Sequence, residues 1–425
     1  MRRPPASPLP PGLLQGLTLA LGLGLCMLPA GTRAEPAAAS LAQAFESAWQ
    51  QQPEARSAQD RRQAAAGRQA QARRWTAQPP ALQLSAKTDR WSRDSGAREQ
   101  ELGLSLPLWL PGERERSMAL ADAERQGLDS REAAARWRLA GELREAWWSV
   151  HKARAELELA QAREQSAARL AADVGRRVAA GELARADRLQ AEGAHAAAQA
   201  EQALARATVV QAEQALAALT RQPVPAELPD QPEALPDAQS EPAAPELPPL
   251  HPQLRELDDR LASAERAREL TQSQRRPNPE LSLSTTRERG AYGDRYGQNL
   301  GLALRIPFGS DGERQNRESL AQAEQQEARA ALELTRQRLI GELAAARARL
   351  AAARLAEQAA GRRAELAQAT LGFVEKSFRA GETDLPGRLR VELEAFEAQR
   401  QALLARLALN QSISALHQAL GLLPR

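Results

Sequence analysis

The sequence predicts a mainly α-helical protein with a small β part, built from one unit written twice. Three observations lead there. The hydrophobic fraction of 43% is mostly Ala and Leu set among Arg, Glu and Gln, with aromatics at only 3%. Such a mixture favours long helices with narrow apolar seams over a rounded core of large side chains. Two halves of the chain align at an offset of about 200 residues, which marks a duplication. Each half also holds two short runs in which Leu alternates with small or polar residues, the period of a strand with one apolar face.

Residues 1–34 open with Arg2 and Arg3, continue as an apolar stretch from Leu13 to Leu28, and end in Thr32-Arg33-Ala34 before Glu35. This is the pattern of a secretory signal peptide. A transmembrane anchor is the alternative, but the stretch is interrupted by Gly16, Gly22 and Gly24 and falls short of the roughly 20 residues needed to span. Cys26 is the only cysteine, and Leu25 stands where lipoprotein processing expects a small residue. The mature chain is therefore expected to be exported, unlipidated and free of cysteine. Cleavage after Ala34 removes Arg2, Arg3 and Arg33 and no acid, which takes 57 basic residues to 54 against 54 acidic ones. An excess of three positive charges over 425 residues is no sign of a nucleic-acid partner, and all three lie in the leader.

The first repeat is expected over 35–220, with helix at 41–78, strands at about 81–91 and 99–109, and helices at 113–178 and 185–219. Residues 221–252 carry ten Pro and six acids, which reads as an extended linker without a core of its own. A disordered tether is one reading, and a segment running along the outside to join the repeats is the other. The second repeat is expected over 253–425, with helix at 251–276, strands at about 280–290 and 297–308, and helices at 313–378 and 385–420. Segment LPLWLPGERE at 106–115 is matched by IPFGSDGERQ at 306–315, and AAGELARADRLQ at 179–190 by RAGETDLPGRLR at 379–390.

The helix at 313–378 would be roughly 100 Å long at 1.5 Å per residue, wider than a single-domain core. Leu332, Leu339, Leu343, Ala346, Leu350 and Ala353 follow heptad spacing, the seam of a coiled coil. Leu389, Leu393, Phe396, Leu403 and Leu407 repeat it on the next helix, which folds back beside the first. In the strands, Leu102, Leu104, Leu106 and Leu108 alternate with Gly103, Ser105 and Pro107, and Leu300, Leu302, Leu304, Ile306 and Phe308 with Gly301, Ala303, Arg305 and Pro307. Runs of about ten residues match strands that cross a membrane in a barrel. A half-buried soluble hairpin is the alternative. Against it, Trp91, Trp109, Tyr292, Tyr296 and Phe308 sit at or near the strand ends, as an interfacial girdle requires. Four strands cannot close a barrel, and an open edge in lipid leaves backbone groups unsatisfied. Three copies sharing one barrel would supply twelve strands.

The order and duplication of these segments, with LAQAFESAWQQQPEARSAQ at 41–59 near the start, resembles the TolC-type outer-membrane efflux channels over essentially the whole mature chain. The IPFGS junction and compact strand loops are most similar to the CzcC branch, which serves heavy-metal efflux. The resemblance implies a homotrimer in the outer membrane of a Gram-negative bacterium. Its twelve-stranded barrel would contact outer-membrane lipid and continue as a helical tunnel through the periplasm. The implied partners are a periplasmic adaptor and an inner-membrane pump of RND type. It also implies that the turns at Gly181-Glu182 and Gly381-Glu382 are the tips that meet the adaptor. Family members commonly place an acid six residues after the tip Gly, where the tunnel narrows; Asp187 matches. In the second repeat Gly387 and Arg390 stand where the best-known gates have Asp, and Asp384 follows the Gly by three. Arg390 could pair with an acid of a neighbouring helix, and solvated helix charges are the alternative reading.

The sequence holds no GxSxG, HExxH, P-loop or CxxC pattern, so no enzyme and no cofactor is expected. His151, His195, His251 and His417 are scattered singly, and no metal site is assigned to them. A passive duct must also let its cargo leave. Drug-efflux and type I secretion ducts remain alternatives for the cargo. A soluble periplasmic coiled-coil adaptor or scaffold is the alternative from another class.

Overall fold

The computed structural model describes residues 40–229, 233–234, 250–309 and 311–424. The expected signal peptide lies outside the described residues, as do 230–232 and 235–249 of the Pro-rich segment. The first repeat runs α1 (Leu41–Gln51), α2 (Pro53–Ala72), β1 (Ala81–Thr88), β2 (Arg98–Pro107), α3 (Glu113–Ala179) and α4 (Arg185–Thr220). The second runs α5 (Pro252–Ser273), β3 (Glu280–Arg289), β4 (Gly297–Arg305), α6 (Asp311–Ala380) and α7 (Leu385–Ala419).

A single helix is expected over 41–78, but the structure divides it. Gln52 adopts ψ 141° between α1 and α2, because the ring of Pro53 disfavours the helical region for the residue before it. Pro53 then occupies the first position of α2, where its missing N–H costs nothing. The strands also end earlier than the alternation suggests. Asp89 leaves β1 to form a turn in which its Oδ2 accepts from Ser95 N at 2.8 Å. Pro107, which has no N–H to donate to a ladder, closes β2.

At 67 and 70 residues, α3 and α6 are each roughly 100 Å long. Helix α3 is the hub, packed against α2, α4, α5 and α7, while α6 packs against α5 and α7. The α6 seam forms as its spacing requires: Leu339, Leu343, Ala346 and Leu350 are buried. On α7 the expected seam holds at Leu407, but Leu393 is 52% exposed. Its turn of α7 faces an open groove between the two long hairpins, lined by Leu159, Leu371 and Phe396.

The main core joins Phe45 and Trp49 of α1, Leu139, Leu143, Trp147 and Trp148 of α3, Leu216 of α4 and Leu407 of α7. Val224 and Leu228 of the Pro-rich segment pack onto it. The described parts of that segment are held by charge as well. Arg154 donates to the carbonyls of Pro225 and Ala226 at 2.8 Å, and buried Arg144 grips Glu233 through two hydrogen bonds of 2.9 and 2.7 Å.

The four strands form one antiparallel sheet in the order β1-β2-β3-β4. The central pairing, β2 with β3, joins the two repeats. Below the sheet, Glu113 at the start of α3 ties the repeats together again. Its carboxylate accepts from Leu110 N at 2.9 Å, from Gln274 at 2.7 Å and from Asn278 at 2.5 Å. Among the described residues no helix is long and apolar enough to cross a membrane.

Candidate functional site

Opposed residues of antiparallel strands point to the same side of a sheet, so the register sorts every side chain by face. One face carries Leu82↔Leu104↔Leu283↔Leu302 and Leu84↔Leu102↔Thr285↔Leu300 as neighbouring rows, with Leu106↔Leu281↔Leu304 before them. The other carries Gln83↔Gly103↔Ser284↔Gly301 and Ser85↔Glu101↔Thr286↔Asn299. The leucine face is uncovered: Leu84 is 75% and Leu300 78% exposed. On β4 and the residues after it, the apolar positions from Leu300 to Phe308 extend roughly 27 Å at 3.4 Å per residue, of the same order as the apolar band of a membrane barrel. Strands β1 and β4 each pair on one side only.

The expected girdle residues divide between the two ends of this sheet. Trp91, Tyr292 and Tyr296 lie in the hairpin loops far from the helices, with Trp91 90% exposed. Trp109 and Phe308 lie at the helix end, where Trp109 Nε1 donates to the Arg74 carbonyl at 3.0 Å. Trp75 is exposed at that same end, and the sequence reading missed it because it falls between a helix and a strand with no alternation around it. The two hairpin loops dock on each other: Tyr292 N donates to Ser95 O at 2.9 Å. Gly96 permits this with φ +91°, and a Cβ there would stand 2.6 Å from Tyr292 N.

The far end of the bundle is built from two matched turns. Gly181 and Gly381 have φ +82° and +81°, the left-handed conformation glycine adopts without a Cβ penalty. Glu182 N donates to Arg177 O at 2.9 Å and Glu382 N to Ser377 O at 3.0 Å, closing the same helix-ending motif twice. No side chain stands within 4 Å of a Cβ added at either glycine. Behind the turns, Phe378 is buried with Leu170, Val174, Ala191 and Leu385, so both hairpins share one small core. The guanidiniums of Arg177 and Arg388 lie 5.1 and 4.9 Å from its ring centre, and Arg177 also pairs with Glu182 at 3.0 Å. Sequence periodicity did not mark Phe378, because all its buried partners but Leu385 come from the other repeat.

The candidate gate residues sit at the starts of α4 and α7: Asp187 in the first turn of α4, Asp384 as the cap of α7 and Arg390 in its second turn. Asp187 accepts from Ala184 N at 3.0 Å, and Asp384 from Gly387 N at 3.0 Å. Both carboxylates therefore neutralise helix N-terminal donors. Arg390 is exposed and has no ion pair among the described residues of its own chain.

Two stretches of the chain, 44–220 and 249–422, match the model of the outer membrane efflux protein family. The chain belongs to that family. A comparison with curated protein sequences gives no match. Among solved structures, this outer membrane efflux protein shares its fold with VceC from Vibrio cholerae at 19% identity and TM-score 0.73, over 90% of this chain and 96% of the other. The CmeC channel of Campylobacter jejuni is similar at 16% identity and TM-score 0.73, over 90% and 85%. CusC is similar at 18% identity and TM-score 0.71, over 90% and 92%. As an outer membrane efflux protein the chain is a channel component rather than an enzyme, placed in the Gram-negative outer membrane with its long helices in the periplasm.

Proposed function

We propose that three copies of this chain form the exit duct of a tripartite efflux system. In this reading the duct receives cargo from an inner-membrane pump of RND type through a periplasmic adaptor. The observation that carries the reading is the open sheet. A four-stranded sheet with a bare leucine face and two unpaired edges cannot rest in lipid alone. Pairing β4 of one copy with β1 of the next satisfies both edges at once, and three copies supply twelve strands. The outer helices support the same assembly. Leu334, Leu355, Leu366 and Phe373 of α6 are exposed, and their separations of 21, 11 and 7 residues keep them on one coiled-coil stripe. Leu189, Leu204 and Val210 of α4 are exposed as well, offering a facing surface.

Trp91, Tyr292 and Tyr296 would then form the outer girdle, and Trp109 and Phe308, with Trp75, the inner one. The turns at Gly181-Glu182 and Gly381-Glu382 would meet the adaptor, and Asp187, Asp384 and Arg390 would line the narrow end. The cargo we assign is heavy-metal cations, as in the CzcC-like branch. The polar face supports this, since Glu99, Glu101 and Glu288 outnumber Lys87 on the lumen side of the outer half of the sheet.

Outer-membrane fractionation tests the architecture: a heat-resistant trimer is expected, and a soluble monomer would leave the scaffold reading in its place. Deleting the gene tests the cargo. Increased sensitivity to divalent transition-metal ions is expected. Sensitivity confined to hydrophobic drugs, or loss of a secreted protein, would reassign the duct.

A further inference from the structure

Charge on the sheet is sorted by face more sharply than the sequence suggests. Beyond the last leucine row, the register places Ala86↔Gln100↔Arg287↔Gln298 and then Thr88↔Arg98↔Arg289 on the leucine side. Arg98, Arg287 and Arg289 are the only charged strand residues on that face, and every strand acid lies on the other. The loops beyond are balanced, with Arg90, Arg93 and Arg295 against Asp89, Asp94 and Asp294. The positive excess on the leucine side is therefore the strand row itself.

The three guanidiniums have no carboxylate partner among the described residues. Arg289 Nε donates to Gly96 O at 3.0 Å. Arg287 and Arg289 stack on Tyr296, 4.4 and 5.1 Å from its ring centre, and Arg289 lies 5.7 Å from the Tyr292 ring. Stacking holds both planar forks against one ring and, with Arg289 Nε taken by Gly96, leaves their terminal N–H groups to donate. Nearby acids are turned elsewhere: Asp94 accepts from the Tyr292 hydroxyl at 2.8 Å and Asp89 from Ser95. At 3.4 Å per residue the row lies about 7 to 14 Å beyond the last leucines along the strands. With barrel strands tilted about 40°, that is about 5 to 10 Å along the membrane normal, which starts within the headgroup layer and reaches its outer edge.

We propose that Arg98, Arg287 and Arg289 form a binding site on the outer wall of the barrel for the phosphate groups of outer-leaflet lipid headgroups. The site rests on the reading that the leucine face meets lipid. Lipid is favoured over a soluble anion by continuity: the row extends the leucine face without a break, so one molecule can set its acyl chains on the leucines and its phosphate on the guanidiniums. Paired guanidinium forks suit phosphate oxygens, which accept two parallel hydrogen bonds from each.

The test uses the full-length trimer in neutral detergent, titrated with bisphosphorylated lipid A, with the dephosphorylated lipid, or with inorganic phosphate. Native mass spectrometry and the melting temperature of the trimer are the readouts. The phosphorylated lipid is expected to be retained and to raise the melting temperature, and the other two probes are not. Combined R98Q, R287Q and R289Q should weaken retention at least tenfold. Lys87→Gln, on the opposite face, should leave it unchanged, and three Arg→Lys changes should restore part of it. Equal retention of both lipids, unaltered binding by the Gln variant, or an equal effect of inorganic phosphate would overturn the proposal. The lipid comparison needs no variant, so it decides the matter even if the Gln protein fails to assemble. Failure of the underlying architecture shows separately, as absence of the heat-resistant trimer before any lipid is added.

Discussion

Asp187 and Asp384 hold opposite halves of one helix-start device. Asp187 is the fourth residue of its turn and reaches back to Ala184 N, whereas Asp384 is the first and reaches forward to Gly387 N, both at 3.0 Å. At the offset of about 200 residues that relates the repeats, Asp187 corresponds to Gly387 and Ala184 to Asp384. A complete box needs a side chain at both positions, and each repeat has kept a different one. A Cβ at Gly387 would stand 2.6 Å from Asp384 Oδ1, so an acid there would displace the cap already in place.

Completing the first box should therefore stabilise the start of α4. Ala184→Ser adds the missing acceptor and is expected to contribute about 1 kcal/mol, while Asp384→Ala should remove a similar amount from α7. Hydrogen exchange of the first-turn amides reads both changes locally, several-fold slower in the former and faster in the latter. Unchanged exchange in both would show that the caps carry no stability.

Arg390 lies six residues beyond Asp384 and is exposed, without an ion pair among the described residues of its own chain. In the proposed trimer it would add three positive charges near the narrow end, opposing cations. Arg390→Ala is expected to raise single-channel conductance for cations in planar bilayers without altering the thermal unfolding of the protein. Conductance equal to wild type would remove Arg390 from the gate.

Gly181 and Gly381 pair open surroundings with left-handed backbone. Alanine there carries the backbone strain of about 1 to 2 kcal/mol alone, while tryptophan adds bulk to the tip. Trp at both positions should abolish cross-linking to the adaptor with trimers intact, and Ala at both should retain it. Loss of cross-linking in the Ala protein would assign the effect to strain rather than to a blocked docking surface.

Much of this molecule is legible in the sequence because long helices and exposed strands are one-dimensional objects. Leu102, Leu104 and Leu106 announce a face by their own spacing, and Leu339, Leu343, Ala346 and Leu350 announce a seam. The break at Gln52 is legible too, in the steric restriction that Pro53 places on the residue before it, which overrides the helical composition of 41–78. Arg144 and Glu233 were not: they are separated by 89 residues, and nothing local distinguishes a buried arginine from the many solvated ones. Phe378 and the row of Arg98, Arg287 and Arg289 are hidden for the same reason, since each exists only once two repeats are set in register.

The Arg144 and Glu233 side chains are only 4% and 10% exposed. Burial disfavours the charge on Glu233, but the hydrogen bonds and charge of Arg144, with Ser414 and His417, outweigh it and hold the carboxyl below its ordinary 4.5. A lowered folded value means the pair stabilises the protein above about pH 4.5, and that contribution is lost as pH falls through the lower folded value. Arg144→Met leaves a buried charge unpaired, at a cost of about 3 to 5 kcal/mol, whereas R144M with E233L should recover most of it. Limited proteolysis within 221–252 is the readout: at least tenfold faster cutting is expected in the single variant, and in wild type as the pH drops below the clamp's range.

His251 sets a second, milder acid limit. The ring is fully buried at the start of α5, with its centroid 5.1 Å from that of Trp137, and neither nitrogen has a hydrogen-bond partner among the described residues. Burial pushes its pKa down from 6.5 to about 4. The folded protein therefore keeps the ring neutral where an unfolded chain would protonate it. Stability should be unaffected above pH 6.5, decline as pH falls from 6.5 towards 4, and level off below, a loss of about 3 kcal/mol for this shift. His251→Phe preserves an edge contact with Trp137 and has no proton to gain. Urea unfolding of the helical region should accordingly lose its dependence on pH between 6.5 and 4.5 in the variant, where Glu233 is still ionised. An identical pH dependence in the two proteins would mean that His251 is not the group that titrates.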